Sequence, residues 1–301
     1  MKNKIPFLKT GTIGSLIFLL FVLFFSSCIP KPIDIDIKPP TPKLVIASQI
    51  IPNSIMLVSV TRSFSALNSS AQSNNVSQNL LDTVLVSNAF VTVTHGTIID
   101  TLFMLSPGIY GSINVLQQTG GTYELYVHDT QRNLEAQASS ILLPRVLFDT
   151  VTPFVTRSPQ DTTVAIEYTF TDDPSTANYY LVNYIVKLHS GDPLSIDLNS
   201  YFPNQQNKVL SDFDLISDQT FTGTYTKRTD LFTATGTDTI AVTLSNISKG
   251  YFEFLTAFKR ANGVINTLTG EPITYPTNIL GGFGYFNTHY PDVKYYDLNL
   301  F

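Results

Sequence analysis

The side chain best placed for chemistry in this sequence is a single thiol, Cys28, which follows Phe25-Ser26-Ser27 at the end of the apolar run Ile13–Phe25. Lys2, Lys4 and Lys9 make the segment before the run positive. Thirteen helical residues rise about 20 Å, short of a bilayer core of ~30 Å, so the run reads as the hydrophobic region of a secretory signal and not as a membrane span. Ser26 and Ser27 give the small side chains a signal peptidase needs. The pattern is that of a bacterial lipobox, with Phe25 where Leu is commonest, and it predicts cleavage before Cys28 and acylation of its thiol. Two other readings stand beside it: a plain signal peptide followed by a chance cysteine, and an uncleaved anchor helix. In an exported chain a lone cysteine has no intramolecular disulfide partner, which favours the lipid.

No other grouping has catalytic spacing. His95, His128, His189 and His289 are far apart, and none belongs to an H-x-x-x-H pair. There is no G-x-S-x-G elbow and no Walker-type loop. Gly281-Gly282-Phe283-Gly284 lacks the following helix and lysine of a phosphate loop, so its glycines predict a tight bend with positive φ. Asp212, Asp214 and Asp218 could hold calcium but lack the glycine and glutamate of a full calcium loop, and Asp34 and Asp36 read as solvated carboxylates. No metal site and no cofactor is expected, and the chain is not expected to be an enzyme. The aromatic tail Tyr275, Phe283, Tyr285, Phe286, Tyr290, Tyr295 and Tyr296 would be a sugar or protein contact if exposed, and core if buried. Asp-Thr pairs before an apolar residue, at Asp82, Asp100, Asp149 and Asp238, are similar to bacterial O-glycosylation acceptors, or are ordinary strand composition.

The elements that would carry these residues are mostly strands. Ile29–Pro42 holds Pro30, Pro32, Pro39, Pro40 and Pro42, which predicts a semi-rigid extended tether. Alternating apolar residues over Leu44–Ile51, Ile55–Thr61, Ala89–Thr94, Ile98–Leu105, Ile113–Leu116 and Thr122–His128, broken by Gly, Pro and Asn, predict an immunoglobulin-like or transthyretin-like β-sandwich. Ser63–Asn79 reads as a long polar loop, a contact surface or a tolerated insertion. Further strands are expected over Val164–Thr171, Tyr179–His189, Phe221–Tyr225 and Thr237–Leu244, with loops over Asp192–Gln219 and Lys227–Thr235. One helix is expected near residues 248–261. Ser248 is its N-cap, Tyr251, Phe254, Leu255 and Phe258 form a buried apolar face over one end of the second β unit, and Asn262-Gly263 stops it. The organisation is therefore a signal peptide over 1–27, a tether over 28–42, a sandwich over 43–147 and a β-rich domain with one helix over 148–301.

The charge balance narrows the partners. Loss of Lys2, Lys4 and Lys9 with the signal would move the formal charge from −5 to −8. An acidic body argues against nucleic acid and against electrostatic docking on anionic lipid.

Several phrases together resemble one family. They are Pro42-Lys43-Leu44-Val45-Ile46, Ala89-Phe90-Val91-Thr92-Val93, Gly121-Thr122-Tyr123, Asn178-Tyr179-Tyr180-Leu181, Leu210-Ser211-Asp212, the helix at Ser248–Arg260, and Glu271-Pro272-Ile273 running through Asn278-Ile279 to Gly281-Gly282-Phe283-Gly284-Tyr285-Phe286. The chain is similar over nearly its whole mature length to the domain-of-unknown-function 4249 lipoproteins of Gram-negative bacteria. That resemblance implies an outer-membrane lipoprotein and a TonB-dependent transporter as partner. It implies a non-enzymatic accessory of nutrient uptake, with ligand unknown. The alternative is an envelope-structural or adhesive surface lipoprotein without a transporter, and a hydrolase with an unfamiliar site is a third reading. Ile29-Pro30-Lys31-Pro32 stands where surface-exported relatives often carry acidic residues, so the expected cell-surface orientation has a periplasmic alternative. An adhesin would use the polar Ser63–Asn79 loop, whereas a transporter partner would favour a broad apolar or aromatic face.

Overall fold

Strands form where apolar and polar residues alternate, and burial follows the alternation. Over Thr122–Asp129, Tyr123, Leu125 and Val127 turn inward and Thr122 and Glu124 outward. The computed structural model describes residues 41–51, 55–63, 84–113, 119–159, 161–187, 209–261 and 274–301, all within the unit Thr41–Phe301. The signal, Cys28 and the tether as far as Pro40, most of the Ser63–Asn79 loop, and His189 lie outside the described residues. The described chain is mainly β, as expected, and carries one helix beyond single turns.

Eight strands form the first sheet: β1 (Leu44–Ile51), β2 (Ile55–Arg62), β3 (Ala89–His95), β4 (Ile98–Ser106), β5 (Ile109–Ser112), β6 (Thr122–Asp129), β7 (Leu134–Ile141) and β14 (Gly282–Tyr285). Their order is β14-β1-β2-β5-β4-β3-β6-β7. β4 belongs to both halves of the sheet. Its residues up to Leu102 pair with β3, and Phe103–Ser106 pair with β5 across a bulge. The sheet thus folds on itself around one core, where Leu44, Ile46 and Val58 share a cluster with Val91, Leu125 and Val127. Its two edges then meet. Gln137 on β7 donates to the Leu280 carbonyl at 3.0 Å, and the Leu280 amide donates back at 2.7 Å. Neither edge is left as a free template for another chain at that point.

β14 lies parallel to β1, with Gly282 opposite Leu44 and Gly284 opposite Ile46. The glycines are steric requirements. Gly281 and Gly284 have φ of +84° and +96°, and a Cβ on Gly284 would collide with the Ile46 carbonyl oxygen. The bend expected at this motif is therefore present, but it delivers a strand to the first sheet. The division expected between residues 147 and 148 is correspondingly not clean, because Ile279 and Phe286 complete the first core.

Two polar features brace this core. The Tyr110 hydroxyl accepts from the Ala89 amide and donates to the Val86 carbonyl, both at 2.8 Å. Arg62 and Asp129, both buried, pair at 2.6 Å, and Asp129 also accepts from the Gln131 and Arg132 amides. Burial alone would raise the Asp129 carboxyl, but Arg62 and these amides outweigh it and hold it below the usual carboxylate range. Removing one partner of such a pair costs about 3–5 kcal/mol.

The second half is a sandwich of two sheets. β8 (Phe148–Arg157), β9 (Thr162–Thr171) and β12 (Thr224–Asp230) face β10 (Tyr179–Lys187), β11 (Val209–Ser217), β13 (Thr239–Ile247) and β15 (Asp292–Asp297). Tyr168, Phe170, Tyr180, Tyr184, Val242 and Leu244 fill the core. β11 and β12 run through the expected loops Asp192–Gln219 and Lys227–Thr235. Their alternation is masked because inward positions carry charge: Asp214 of β11 and Lys227 of β12 form an ion pair at 2.7 Å. Asp214 also accepts from the Tyr184 hydroxyl at 2.7 Å and from Thr229 at 3.0 Å. β5 was not expected, and it places Tyr110 inside, while the expected strand Ile113–Leu116 lies, beyond Ile113, outside the described residues.

Helix α1 (Lys249–Ala261) follows β13. Ser248 caps it as expected, its hydroxyl accepting from the Tyr251 amide at 3.3 Å. The expected buried face is corrected: no residue of α1 is fully buried. The helix touches its surroundings on two flanks, with Phe252 against Tyr179 at 5.0 Å and with Tyr251 and Phe254 against Tyr285 at 5.5 and 5.6 Å. Wedged in that way it has no single face that is sealed.

At the helix start lies a buried polar seam. The Asn287 side-chain oxygen accepts from Ser248 at 3.1 Å, which leaves its amide nitrogen to donate to His289 Nδ1 at 3.0 Å. The imidazole is thereby fixed as the neutral tautomer with its proton on Nε2. The Asn287 backbone exchanges two 2.8 Å bonds with the Ser48 hydroxyl on β1, and the Thr288 amide donates to Ser140 on β7 at 3.0 Å.

Two measurable consequences follow from these contacts. Gly284→Ala should cost several kcal/mol in thermal or denaturant unfolding, since it adds a backbone collision to a left-handed φ. Gly120→Ala, also at positive φ but with open space around it, should cost only about 1 kcal/mol. The second concerns acid. Burial lowers the His289 pKa from 6.5 to about 4, so the unfolded chain takes up a proton that the folded chain refuses. The folded state keeps this contribution above pH 6.5 and loses it as pH falls towards 4, by about 3 kcal/mol in total. Denaturation midpoints between pH 7 and 4 should fall less in His289→Gln than in the natural protein.

Candidate interaction surfaces

Among the described residues, the histidines and most of the aspartates singled out by type are held in structural contacts. The His95 ring packs on Tyr123, with centroids 4.4 Å apart. His128 Nε2 lies 3.2 Å from Asn133 Oδ1, and His289 is in the buried seam. Asp212, Asp214 and Asp218 do not converge. Asp212 is exposed and lies 3.9 Å from Lys259, Asp214 points into the sandwich, and Asp218 accepts from the Asn178 amide at 2.6 Å. Among the described residues no three His, Cys, Asp or Glu side chains gather as a metal site. Of the Asp-Thr pairs, Thr101 and Thr150 are exposed, Thr239 is half-buried beside buried Asp238, and Thr83 lies outside the described residues. A shallow groove of about 410 Å³ between α1 and β11 is lined by Leu215, Phe252, Thr256, Lys259 and Arg260. Lys259 is already bound there to the Phe213 carbonyl at 2.6 Å.

Two apolar surfaces remain, at opposite ends of the first sheet. The near one is aromatic. Phe283 sits opposite Val45 at the start of β1, half-exposed, with the Lys43 ammonium 5.2 Å from its ring. Tyr285 follows on the same face and meets Tyr251 and Phe254 of α1, and Phe254 meets Tyr275 at 6.0 Å. Phe258 lies one turn further along the helix and is 44% exposed. The aromatic tail thus divides. Phe286 is core, Tyr290 packs against core, and Tyr275, Phe283 and Tyr295 are substantially exposed.

The far surface is on β3, β4 and β5. Phe103 pairs with Gly111, which pairs with Leu57, whose partner on β1 is Gln49, five residues along from the start of β1 and so roughly 17 Å from it. From that level onward the outward side chains are Phe90, Ile99, Phe103, Leu105 and Ile113. Ile99, Phe103 and Ile113 are 67%, 71% and 68% exposed. Leu105 packs beside the bare backbone of Gly111, where a Cβ would meet its Cδ1 at 2.6 Å. This stripe is absent from a reading that records β4 only as a return strand. The available signal is that Ile98–Ser106 has apolar residues at both parities.

No curated protein matches the sequence. The model of the family described as domain of unknown function (DUF4249) matches residues 30–292, and the chain belongs to that family.

Proposed function

We propose that this protein is a lipid-anchored, non-enzymatic binding accessory of a TonB-dependent nutrient transporter in the outer membrane, facing the cell surface. The observation that carries the reading is the exposed aromatic face beside Lys43. Lys43 follows the proline-rich segment directly in sequence, and large rings such as Phe283, Tyr275 and Phe258 are the side chains that dominate protein contacts. Two further features support the reading: the lipobox-like Phe25-Ser26-Ser27-Cys28 and the structural employment of each described histidine. An adhesive role would have leaned on the polar Ser63–Asn79 loop, whereas a broad aromatic face is what a transporter partner favours.

Affinity purification of the native protein from detergent-solubilised outer membrane tests this directly. A TonB-dependent barrel should co-purify in near-stoichiometric amount, and Phe283→Ser combined with Tyr275→Ser should reduce that recovery by about tenfold or more, the loss of one or two hot-spot side chains. Cys28→Ala should lose fatty-acid label and release the protein from the membrane. Gene deletion should impair uptake of one nutrient with the envelope intact. Detergent-sensitive cells with normal uptake would support the envelope-structural alternative instead.

A further inference from the structure

The stripe on β3, β4 and β5 is remote from the aromatic face and calls for a different occupant. Its five large side chains expose on the order of 500 Å² of apolar surface, near the upper end of what a monomer carries. We propose that the stripe is the contact between two copies of this chain, packed face to face about a two-fold axis.

Three features point to a second copy. The first is charge. A two-fold contact sets each patch against itself, so any charge within it would face its own image. Thr94 and Thr101 lie between the apolar side chains, Thr92 is buried beneath them, and none of these positions carries a charge. Asp100 is on the opposite side of β4, and Glu124, which pairs with Thr94, stands at the rim on β6. On a chain with a formal charge of −5, an uncharged stripe is where two copies approach without bringing acid against acid. The second is shape. Sheets of the same right-handed twist pack face to face about 10 Å apart at roughly −30°, and two copies of one face meet that condition by construction. The third is area. About 500 Å² from each partner gives roughly 1,000 Å² in total, the area at which a specific interface begins. A bilayer fits less well, because the stripe has neither the Trp and Tyr nor the basic residues of interfacial anchors.

The test uses the native lipidated protein purified in detergent and does not depend on the transporter reading. Light scattering should give twice the chain mass after correction for detergent. Thr101→Cys places a thiol in the middle of the stripe, in a chain whose other cysteine is Cys28. A bismaleimide spanning ~10 Å, comparable to the sheet-to-sheet distance, should link it into a homodimer, whereas Thr226→Cys, exposed on β12, should stay unlinked. Phe103→Asp should abolish the dimer and leave the melting temperature unchanged. A monomeric mass with no cross-link would overturn the proposal. So would cross-linking of Thr101→Cys to a different protein, quenching of a thiol probe there by brominated phosphatidylcholine, or a glycan on Thr101 in the intact mass of the natural protein.

Discussion

The contact on which the rest of the first sheet depends is the approach of the Gly281–Gly284 backbone to β1 and β7. A sheet of seven strands from residues 44 to 141 would leave two edges open, with unpaired amides and carbonyls on each. The glycine segment removes both: Gly282 and Gly284 run beside Leu44 and Ile46, and Leu280 exchanges two bonds with Gln137. The approach is too close for any Cβ at Gly284. Local backbone freedom at one position therefore decides whether a long-range pairing between the two ends of the chain can form.

That closure explains what could and could not be read from the sequence. Strands β1, β2, β3, β6, β9 and β10 were legible because their inward positions are apolar, as in Val91 and Val93 or Tyr180 and Val182. β11 and β12 were not, because Asp214 and Lys227 point inward and satisfy one another through an ion pair and the hydroxyls of Tyr184 and Thr229. A pattern rule counts them as solvent positions. Only the fold brings the partners together, from residues thirteen apart in sequence on different sheets. The helix was legible in extent and cap, but not in burial. Its period-3.6 face predicts a sealed contact, whereas its neighbours take it from two flanks and leave Phe258 exposed.

The two apolar surfaces were unequally legible. Aromatic density near the C-terminus signals the first, although the sequence alone cannot say that Phe286 goes inward and Phe283 outward. Parallel pairing with β1 settles it, since Phe283 takes the parity of outward Val45 and Phe286 lies among the first core. The aliphatic stripe has no compositional mark of its own, because Ile, Phe and Leu in a strand are the ordinary signature of a core. It differs from core only in its exposure, which the fold and not the composition decides, since Ile99, Phe103 and Ile113 stay open to solvent.

Sharing of residues 279–297 between the halves has a consequence for stability. β14 and Phe286 belong to the first core, while β15 and Leu298 belong to the second. Asp292, where they join, accepts from Arg145 at 2.9 Å, in the segment that links β7 to β8, and from the amide of Phe148 at 3.0 Å, the first residue of β8. Pulling the C-terminal segment away would therefore open the first sheet along two edges and strip the linker of its carboxylate at once. The His289 seam reinforces this, because the same few residues cap α1 through Ser248 and hold β1 and β7 through Ser48 and Ser140. Domains whose cores are completed by a common segment lose their independence, so the two halves should unfold together, and a fragment ending near residue 147 would lack the strand that closes it.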